Sequence, residues 1–419
     1  MIERHLEESL LEALEHFPVV ALTGARQVGK STLALSMASK KWKARYLTLD
    51  DRVVLDAALR DPDGFVSGTP TPVIFDEIQK APDLLRAIKR SVDTNRLAGQ
   101  YLLTGSANLM TLSSISETLA GRVALYELYP FCWTEIRSSG RPQILDIIFK
   151  TKGARDFIAS FQGVKASDRK REIEQLIISG GYPTPALMKQ NRIRQKWFES
   201  YRQTYIERDI RNISAIDNLS DFNRILNSVA IRTGQMLNVS DLSRDLGIPL
   251  TTLRRYMNIL EVTFQIFLLR PYFANIGKRL VKTPKVYFGD TGMACHLTAS
   301  DDFSILERQG RSGALVETWV ANELRKLISL SATAPHLYYW RTHAGQEVDF
   351  LLEKGERIVA VEVKWTQRIE KTSIANLKRC ASDLGKKIVF SMVLYTGTDL
   401  IALDTHTVAI PFGLFFGAA

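Results

Sequence analysis

The sequence predicts an α/β protein of several domains: a parallel sheet flanked by helices, then a helical segment, then a further α/β domain. Three observations predict it. The chain has 419 residues, too many for one ordinary core. The apolar run "PVVALTG" passes directly into the glycine loop "GARQVGKST" and then into the helical pattern "LALSMAS". Near the other end, "QEVDFLLEKGERIVAVEVKW", residues 346–365, alternates like the two strands of a hairpin.

Composition is that of a globular chain, 45% hydrophobic and 24% charged, with no low-complexity tract. The net charge of +10 suits a polyanionic partner, nucleic acid before an acidic membrane. Cys132, Cys295 and Cys380 lie far apart and form no C-x-x-C or zinc pattern. Buried thiols in a reducing compartment are expected. The start, "MIERHLEESLLEALEHF", reads as an acidic amphipathic helix with Leu6, Leu10, Leu14 and Phe17 on one face. It has the character of neither a signal nor a transit peptide. No apolar run approaches the roughly 20 residues of a membrane span, so a cytoplasmic protein without a membrane partner is expected.

Strand, glycine loop and helix are the context that the G-x-x-x-x-G-K-[ST] signature requires. Gly24 and Gly29 let backbone N–H groups turn inward around nucleotide phosphates. Lys30 brings a point charge to the β- and γ-phosphates, Ser31 can place its hydroxyl on Mg²⁺, and the helix N-terminus adds its dipole. The expected ATP-binding set is Gly24, Ala25, Arg26, Gln27, Val28, Gly29, Lys30, Ser31 and Thr32, with Arg26 a further phosphate contact. The apolar strand of "TPVIFDEIQKAP" ends in Asp76, which would hold Mg²⁺ through its water shell, and Glu77, which would orient or deprotonate the attacking water. The alternative is that Asp-Glu merely caps the next helix. A third strand, "QYLLTGSANL", ends in Thr104, Ser106 and Asn108. Ser106 and Asn108 are candidate sensors of the γ-phosphate, or simply a polar turn.

Together "GARQVGKST", "VIFDEIQKAP", "LLTGSAN" and "ETLAGRVALYELYPFCWTEI" resemble a large prokaryotic group of AAA+ P-loop ATPases. In that group the ATPase domain precedes a domain of unknown function with a nuclease-like fold. The resemblance covers almost the whole chain. It implies that Arg122, in "LAGR", is an arginine finger reaching a neighbouring subunit's nucleotide, and hence a homo-oligomeric ring, because a finger in trans needs a neighbour. The alternative is a surface arginine that begins the strand "VALYEL".

From about Arg137 to Ser179 the pattern loosens into turns and a basic solvated run. "ISGGYPTPAL" and "WFESYRQTYIERDI" resemble hallmarks of the family's second domain. Trp197, Tyr201, Tyr205 and Ile206 recur at helical spacing as a core stripe. Arg194, Arg202, Arg208 and Arg211 form either a surface for a nucleic acid backbone or a solvated face paired to Glu199, Glu207 and Asp209. "NVSDLSRDLGIPLTTLRRYMNILE" reads as a helix-turn-helix: Ser240 as N-cap, Gly247 as stop, Pro249 opening the second helix. Thr251, Thr252, Arg254, Arg255 and Asn258 would project from it toward phosphates and base edges of DNA. "FQIFLL" and "NIGKRLVKTPKVYF" could complete a winged helix, which in ATPases also serves only to pack domains together.

At the C-terminus, a helix with Glu317 and Glu323 leads to a strand with Asp349, a strand with Glu362 and Lys364, a helix and a strand. This order resembles the PD-(D/E)XK nuclease core. The resemblance implies Asp349 and Glu362 as Mg²⁺ ligands, Lys364 as the residue that positions the water or stabilises the pentacoordinate phosphorus, and Glu317 as a further metal contact. Val348 stands where a Pro often precedes the Asp. An ordinary amphipathic hairpin has the same look, and many proteins of this fold bind nucleic acid without cutting it.

The expected division is 1–140 ATPase, 141–180 linker or lid, 181–285 helical and winged-helix segment, and 286–419 nuclease-like domain. The expected function is ATP hydrolysis with Mg²⁺, acting on branched or single-stranded DNA. The alternatives are a nucleotide-dependent switch for a protein partner, with an inactive nuclease-like domain, and an ATP-gated endonuclease.

Overall fold

Five short apolar runs build the first sheet: β1 Val19–Thr23, β2 Arg45–Thr48, β3 Val73–Asp76, β4 Tyr101–Thr104 and β5 Val123–Glu127. They lie in the order β2-β3-β4-β1-β5 and every pairing is parallel. The three central strands are buried along their whole length, whereas edge strands β2 and β5 are partly exposed. A parallel sheet covered on both faces needs such unbroken apolar runs. Ala21, Phe75, Tyr101 and Leu103 pack with Leu85 and Ile88 of the helix Leu84–Thr94. Because all five strands run the same way, the loops leaving β1, β3 and β4 emerge along one edge, where open α/β sheets bind ligands.

The computed structural model describes residues 2–40, 42–105, 118–209, 216, 218–273, 283–331, 334–369 and 374–417. They form two units, Met1–Phe131 with Val262–Gln265, and Cys132–Glu261 with Ile266–Ala419. In the first unit the opening helix, Leu6–His16, buries Leu6, Leu10, Ala13 and Leu14. Phe17 does not join them and is 40% exposed. The residue before a proline is disfavoured in helical geometry, and Phe17, ahead of Pro18, is extended at φ −112° and ψ 138°.

In the second unit, Leu219–Ile231, Val239–Leu246 and Leu250–Val262 are helices, joined by β6 Gln235–Met236 and followed by β7 Ile266–Leu269 and β8 Lys285–Phe288. The three strands form an antiparallel sheet in the order β6-β8-β7. Gly247, left-handed at φ 62°, ends the helix Val239–Leu246. Its N-cap is Asn238, not Ser240: the Asn238 side chain accepts from the N–H groups of Ser240 and Asp241. Ser240 lies two residues too far along, inside the first turn, where its own N–H needs the cap. Of the basic run between β7 and β8, residues 274–282 lie outside the described residues.

The aromatic stripe runs on through a change of helical winding. The helix Asn191–Tyr201 continues as a π-helix over Arg202–Asp209, whose wider winding departs from the 3.6-residue repeat. Tyr201 and Tyr205 are buried and Trp197 is half-buried; the Ile206 side chain lies outside the described residues. The Gly-Gly loop before this helix has a specific cause. Gly180 sits at φ 66°, and a Cβ there would lie 2.2 Å from the Asp290 carboxylate. That carboxylate accepts the N–H groups of Gly181 at 2.7 Å and Met293 at 3.0 Å, closing the loop onto the start of helix Thr291–Leu297.

The last sheet holds β9 His336–Arg341, β10 Glu347–Lys354, β11 Arg357–Lys364, β12 Ile388–Tyr395, β13 Ile401–Ala402 and β14 Thr407–Pro411, in the order β13-β14-β12-β11-β10-β9. Strands β9, β10 and β11 form an antiparallel meander, and β12 lies parallel to β11. The helix Ala375–Leu384 provides the crossover that a parallel pair needs. The helix Ser312–Leu330 precedes the sheet and is buried around much of its circumference. The boundary expected between 285 and 286 falls inside β8. Among the described residues no helix is long and apolar enough to cross a membrane.

Candidate nucleotide site and carboxylate cluster

The loop after β1 folds around its own lysine. Lys30 is 5% exposed, and its ammonium donates to the carbonyls of Gly24 at 3.0 Å and Ala25 at 2.8 Å. Burial lowers its pKa to about 8, against the pull of Glu77 and Asp76. Gly24 adopts φ 142°, and a Cβ there would lie 2.3 Å from the carbonyl oxygen of Leu128. No larger residue fits that turn. Arg26, Gln27 and Thr32 are exposed, Ser31 and Gly29 half-buried, Ala25 and Val28 buried. Behind the loop, Arg4 donates to the carbonyls of Val28 at 2.7 Å and Tyr129 at 2.5 Å, with its guanidinium 4.8 Å from the centre of the Phe131 ring.

Asp76, at the end of β3, is 3% exposed. One carboxylate oxygen accepts from the Tyr46 hydroxyl at 2.5 Å and the other from the Thr104 hydroxyl. Burial, first, and Asp76, second, push the Tyr46 phenol well above its ordinary value. Glu77 follows in the left-handed region at φ 58°, and its side chain makes no capping bond to the turn Ile78–Lys80. It receives the Gln79 amide. Ser31, at the start of the loop helix, and Asp76, whose carboxylate is held by Tyr46 and Thr104, offer the hard oxygens that Mg²⁺ takes, so the residues present fit that ion.

The structure does not bring every predicted residue to this edge. Ser106 and Asn108 lie outside the described residues. Arg122 sits at the far end of the sheet: its carbonyl accepts the N–H of Val19, where β1 begins. Its guanidinium donates to Asp93 at 2.5 Å and to the Ala120 carbonyl at 2.9 Å. A whole strand separates it from its own chain's loop. In the second unit, Thr251, Arg254, Arg255 and Asn258 are exposed and Thr252 half-buried on the helix Leu250–Val262. Arg202 pairs with Glu199 at 2.9 Å, and Arg194 donates to the Pro185 and Met188 carbonyls. Arg211 is outside the described residues, as is the side chain of Arg208.

Glu317, Asp349, Glu362 and Lys364 do meet. Phe350 pairs with Val361 across the hairpin, so Asp349 and Glu362 are neighbours, and Asp349 accepts the Val363 N–H at 2.8 Å. Glu323 stands apart, bonded to Lys326 and the Trp133 N–H. Sequence reading missed Lys285, Tyr287, Glu347 and Arg341. Lys285, from β8 and with a side chain only 3% exposed, pairs with Glu317 at 2.8 Å and with Glu347. Tyr287 donates to Glu317 at 2.5 Å, Arg341 to Glu347 at 2.5 Å, and Lys364 to Glu362 at 2.7 Å. The buried Glu362 Oε2 has no partner. Burial would lower the Lys285 pKa, but Glu317, Asp349 and Glu347 outweigh it and raise it. Burial and Asp349 push Glu317 up to about 7 and Glu362 up to about 8.

Among the described residues no three His, Cys, Asp or Glu side chains are placed to hold a metal. Lysines occupy the carboxylates instead, and the cluster as it stands does not fit a Mg²⁺ ion. Its charge state has a consequence for stability. Folded Glu317 and Glu362 keep protons that the unfolded chain, with ordinary carboxylates near 4.5, has released. Stability therefore falls as pH rises from the unfolded value through about 8. Urea unfolding from pH 5 to 8.5 should show this decline, and Glu362→Gln should flatten it. An unchanged slope in that variant would remove Glu362 from the account.

A family model described as an AAA domain matches residues 16–137. Two described as domains of unknown function, DUF8612 and DUF4143, match residues 170–304 and 312–415. The uncharacterized proteins Rv2008c of Mycobacterium tuberculosis and Mb2031c of Mycobacterium bovis are each 32% identical over 403 residues, 96% of this chain and 82% of theirs. Among solved structures, a Walker-type ATPase of Pyrococcus abyssi is similar at 16% identity and a TM-score of 0.44, over 71% of this chain and 96% of that one. AMPPCP-bound DnaA from Aquifex aeolicus is similar at 13% identity and a TM-score of 0.27, over 61% and 86%. At such scores these likenesses add no weight to the family match. Residues 16–137, with their parallel sheet and lysine-bearing loop, form a P-loop ATPase domain of the AAA type. The chain as a whole belongs to one family with Rv2008c and Mb2031c.

Proposed function

We propose that the chain hydrolyses ATP with Mg²⁺ and couples hydrolysis to DNA held by its second unit, in the cytoplasm. The observation that carries the ATPase reading is the buried Lys30 ammonium, held on the loop carbonyls beside Ser31, Asp76 and Glu77. Lys30 would exchange those carbonyls for β- and γ-phosphate oxygens. The loop N–H groups from Gly24 to Thr32 would cradle the phosphates, and the exposed Arg26 would be a further phosphate contact. Ser31 and Asp76 would hold Mg²⁺, which when bound neutralises charge on the phosphates. Glu77 would orient the attacking water, and Ser106 or Asn108 would sense the γ-phosphate.

Arg122 lies a strand away from its own loop, so as a finger it must act on a neighbour, in a homo-oligomeric ring. Arg122→Ala should then bind ATP but turn it over slowly, and mixing it with Glu77→Gln should restore part of the turnover. Absence of rescue at every mixing ratio would leave Arg122 with its Asp93 pair alone.

The DNA reading is supported by the exposed Thr251, Arg254, Arg255 and Asn258 on a helix whose order with β6, β7 and β8 matches a winged helix. The order helix, three-strand meander, helix, parallel strand in 312–395 supports a nuclease-like fold. The lysine-filled cluster favours a fold that holds rather than cuts, and hence, as the second reading, a nucleotide-dependent switch for a protein partner. An ATP-gated endonuclease finds no support in that cluster. ATP turnover measured without nucleic acid and with single-stranded DNA, duplex, forks, four-way junctions and RNA, at one salt concentration, tests the choice. Stimulation by a DNA structure is expected; a flat response across the panel would refute DNA coupling in favour of the switch.

A further inference from the structure

Arg4 stands just ahead of the helix Leu6–His16, which its buried leucines anchor to the first unit. Its guanidinium bridges two carbonyls, donating to Val28 at 2.7 Å and to Tyr129 at 2.5 Å, and lies 4.8 Å from the centre of the Phe131 ring. Tyr129 and Phe131 follow β5, on one side of β1, whereas Asp76 ends β3, beyond β4 on the other side. Arg4 therefore holds the loop from the side opposite the acids. The carbonyl it takes belongs to the Val28–Gly29 peptide, and a trans peptide points its N–H opposite to its C=O. With the Val28 carbonyl turned toward Arg4, the Gly29 N–H is turned away from Arg4. Gly29 sits at φ 98°, and its own carbonyl accepts the Leu33 N–H at 2.9 Å at the start of the helix Lys30–Lys40. Its N–H is thus one of the donors that a helix N-terminus offers to an anion. Glycine accepts either sign of φ, so residue 29 does not by itself keep this peptide from turning over.

We infer that Arg4 is a positioning residue of the phosphate loop: by holding the Val28 carbonyl outward it aims the Gly29 N–H at the nucleotide's phosphates. This rests on the P-loop reading above. Arg4 touches no phosphate in this role; it acts through the backbone, and the Tyr129 carbonyl and the Phe131 ring hold its guanidinium in place. Its removal should weaken the grip on the phosphates and leave the contacts with base and ribose unchanged.

The test is displacement of a fluorescent ATP analogue from the full chain by inorganic triphosphate, which has neither base nor ribose, and by adenosine, which has no phosphate. For Arg4→Met, which keeps an apolar stem, triphosphate affinity should fall about tenfold, as it would if the loop held the productive orientation about a tenth of the time. Adenosine affinity should hold. Arg4→Lys keeps a charged donor that reaches one carbonyl rather than bridging two, so it should recover part of the loss, leaving about threefold. It also serves if the methionine variant folds poorly. Wild-type triphosphate affinity in both variants would overturn the inference while leaving the P-loop reading intact. Equal losses for triphosphate and adenosine would overturn it too, since they mark a general loosening of the first unit. Failure of the wild-type chain to bind the analogue at all would overturn both readings.

Discussion

Lys30→Ala is expected to lose ATP turnover by about 100-fold or more, the scale for removing one positioned charge or donor from a reacting centre. The residue has two roles that this change removes together. Its ammonium holds the loop on the Gly24 and Ala25 carbonyls, and in turnover it would neutralise the phosphates. Tight binding should therefore weaken along with turnover. The sheet does not depend on it, since β1, β3 and β4 bury their own apolar runs. Circular dichroism should stay native while steady-state turnover falls. Turnover at the wild-type rate would mean that this loop is not where ATP is hydrolysed.

The second large effect belongs to Lys285. Its ammonium is the cation shared by Glu317 and Glu347, and Asp349 contributes to its raised pKa. Lys285→Ala strands those carboxylates and opens space beneath the Tyr339 ring, whose centre lies 5.6 Å from the ammonium. Breaking a buried ion pair from one side costs about 3–5 kcal/mol. A loss of that order in urea unfolding of the second unit is expected. Pairing Lys285→Met with Glu317→Gln should return much of it, because the buried charge goes with its partner. A loss under about 1 kcal/mol would place Lys285 in effectively aqueous surroundings and reopen the cluster to a metal.

These two lysines differ in how visible they were beforehand. Lys30 stands in a local motif whose geometry is set by its neighbours: a strand, two glycines and a helix within a few residues. Asp76 and Glu77 were legible for the same reason, at the end of a continuous apolar strand. Lys285 closes a run of basic residues, and nothing near it in sequence marks it as buried. Its partners are 32 and 62 residues away. Tyr46 was equally silent, because one aromatic on an edge strand carries no pattern. Expectations that rested on local pattern alone failed at element ends, where Pro18 turns Phe17 out and Asn238 rather than Ser240 caps a helix.

By itself the sequence determined the parallel sheet, the phosphate loop with its acidic strand, and the hairpin that brings Asp349 beside Glu362. These follow from short-range rules: strand alternation, glycine at positive φ, and apolar runs that must be buried. Only the tertiary structure decided that Tyr46 and Thr104 hold Asp76 from both sides, that Arg122 faces away from its own loop, and that Lys285 fills the carboxylate cluster. Each of those depends on strand order and on which side chains share a low-dielectric interior. Charges and hydroxyls brought together there interact strongly whatever their distance along the chain.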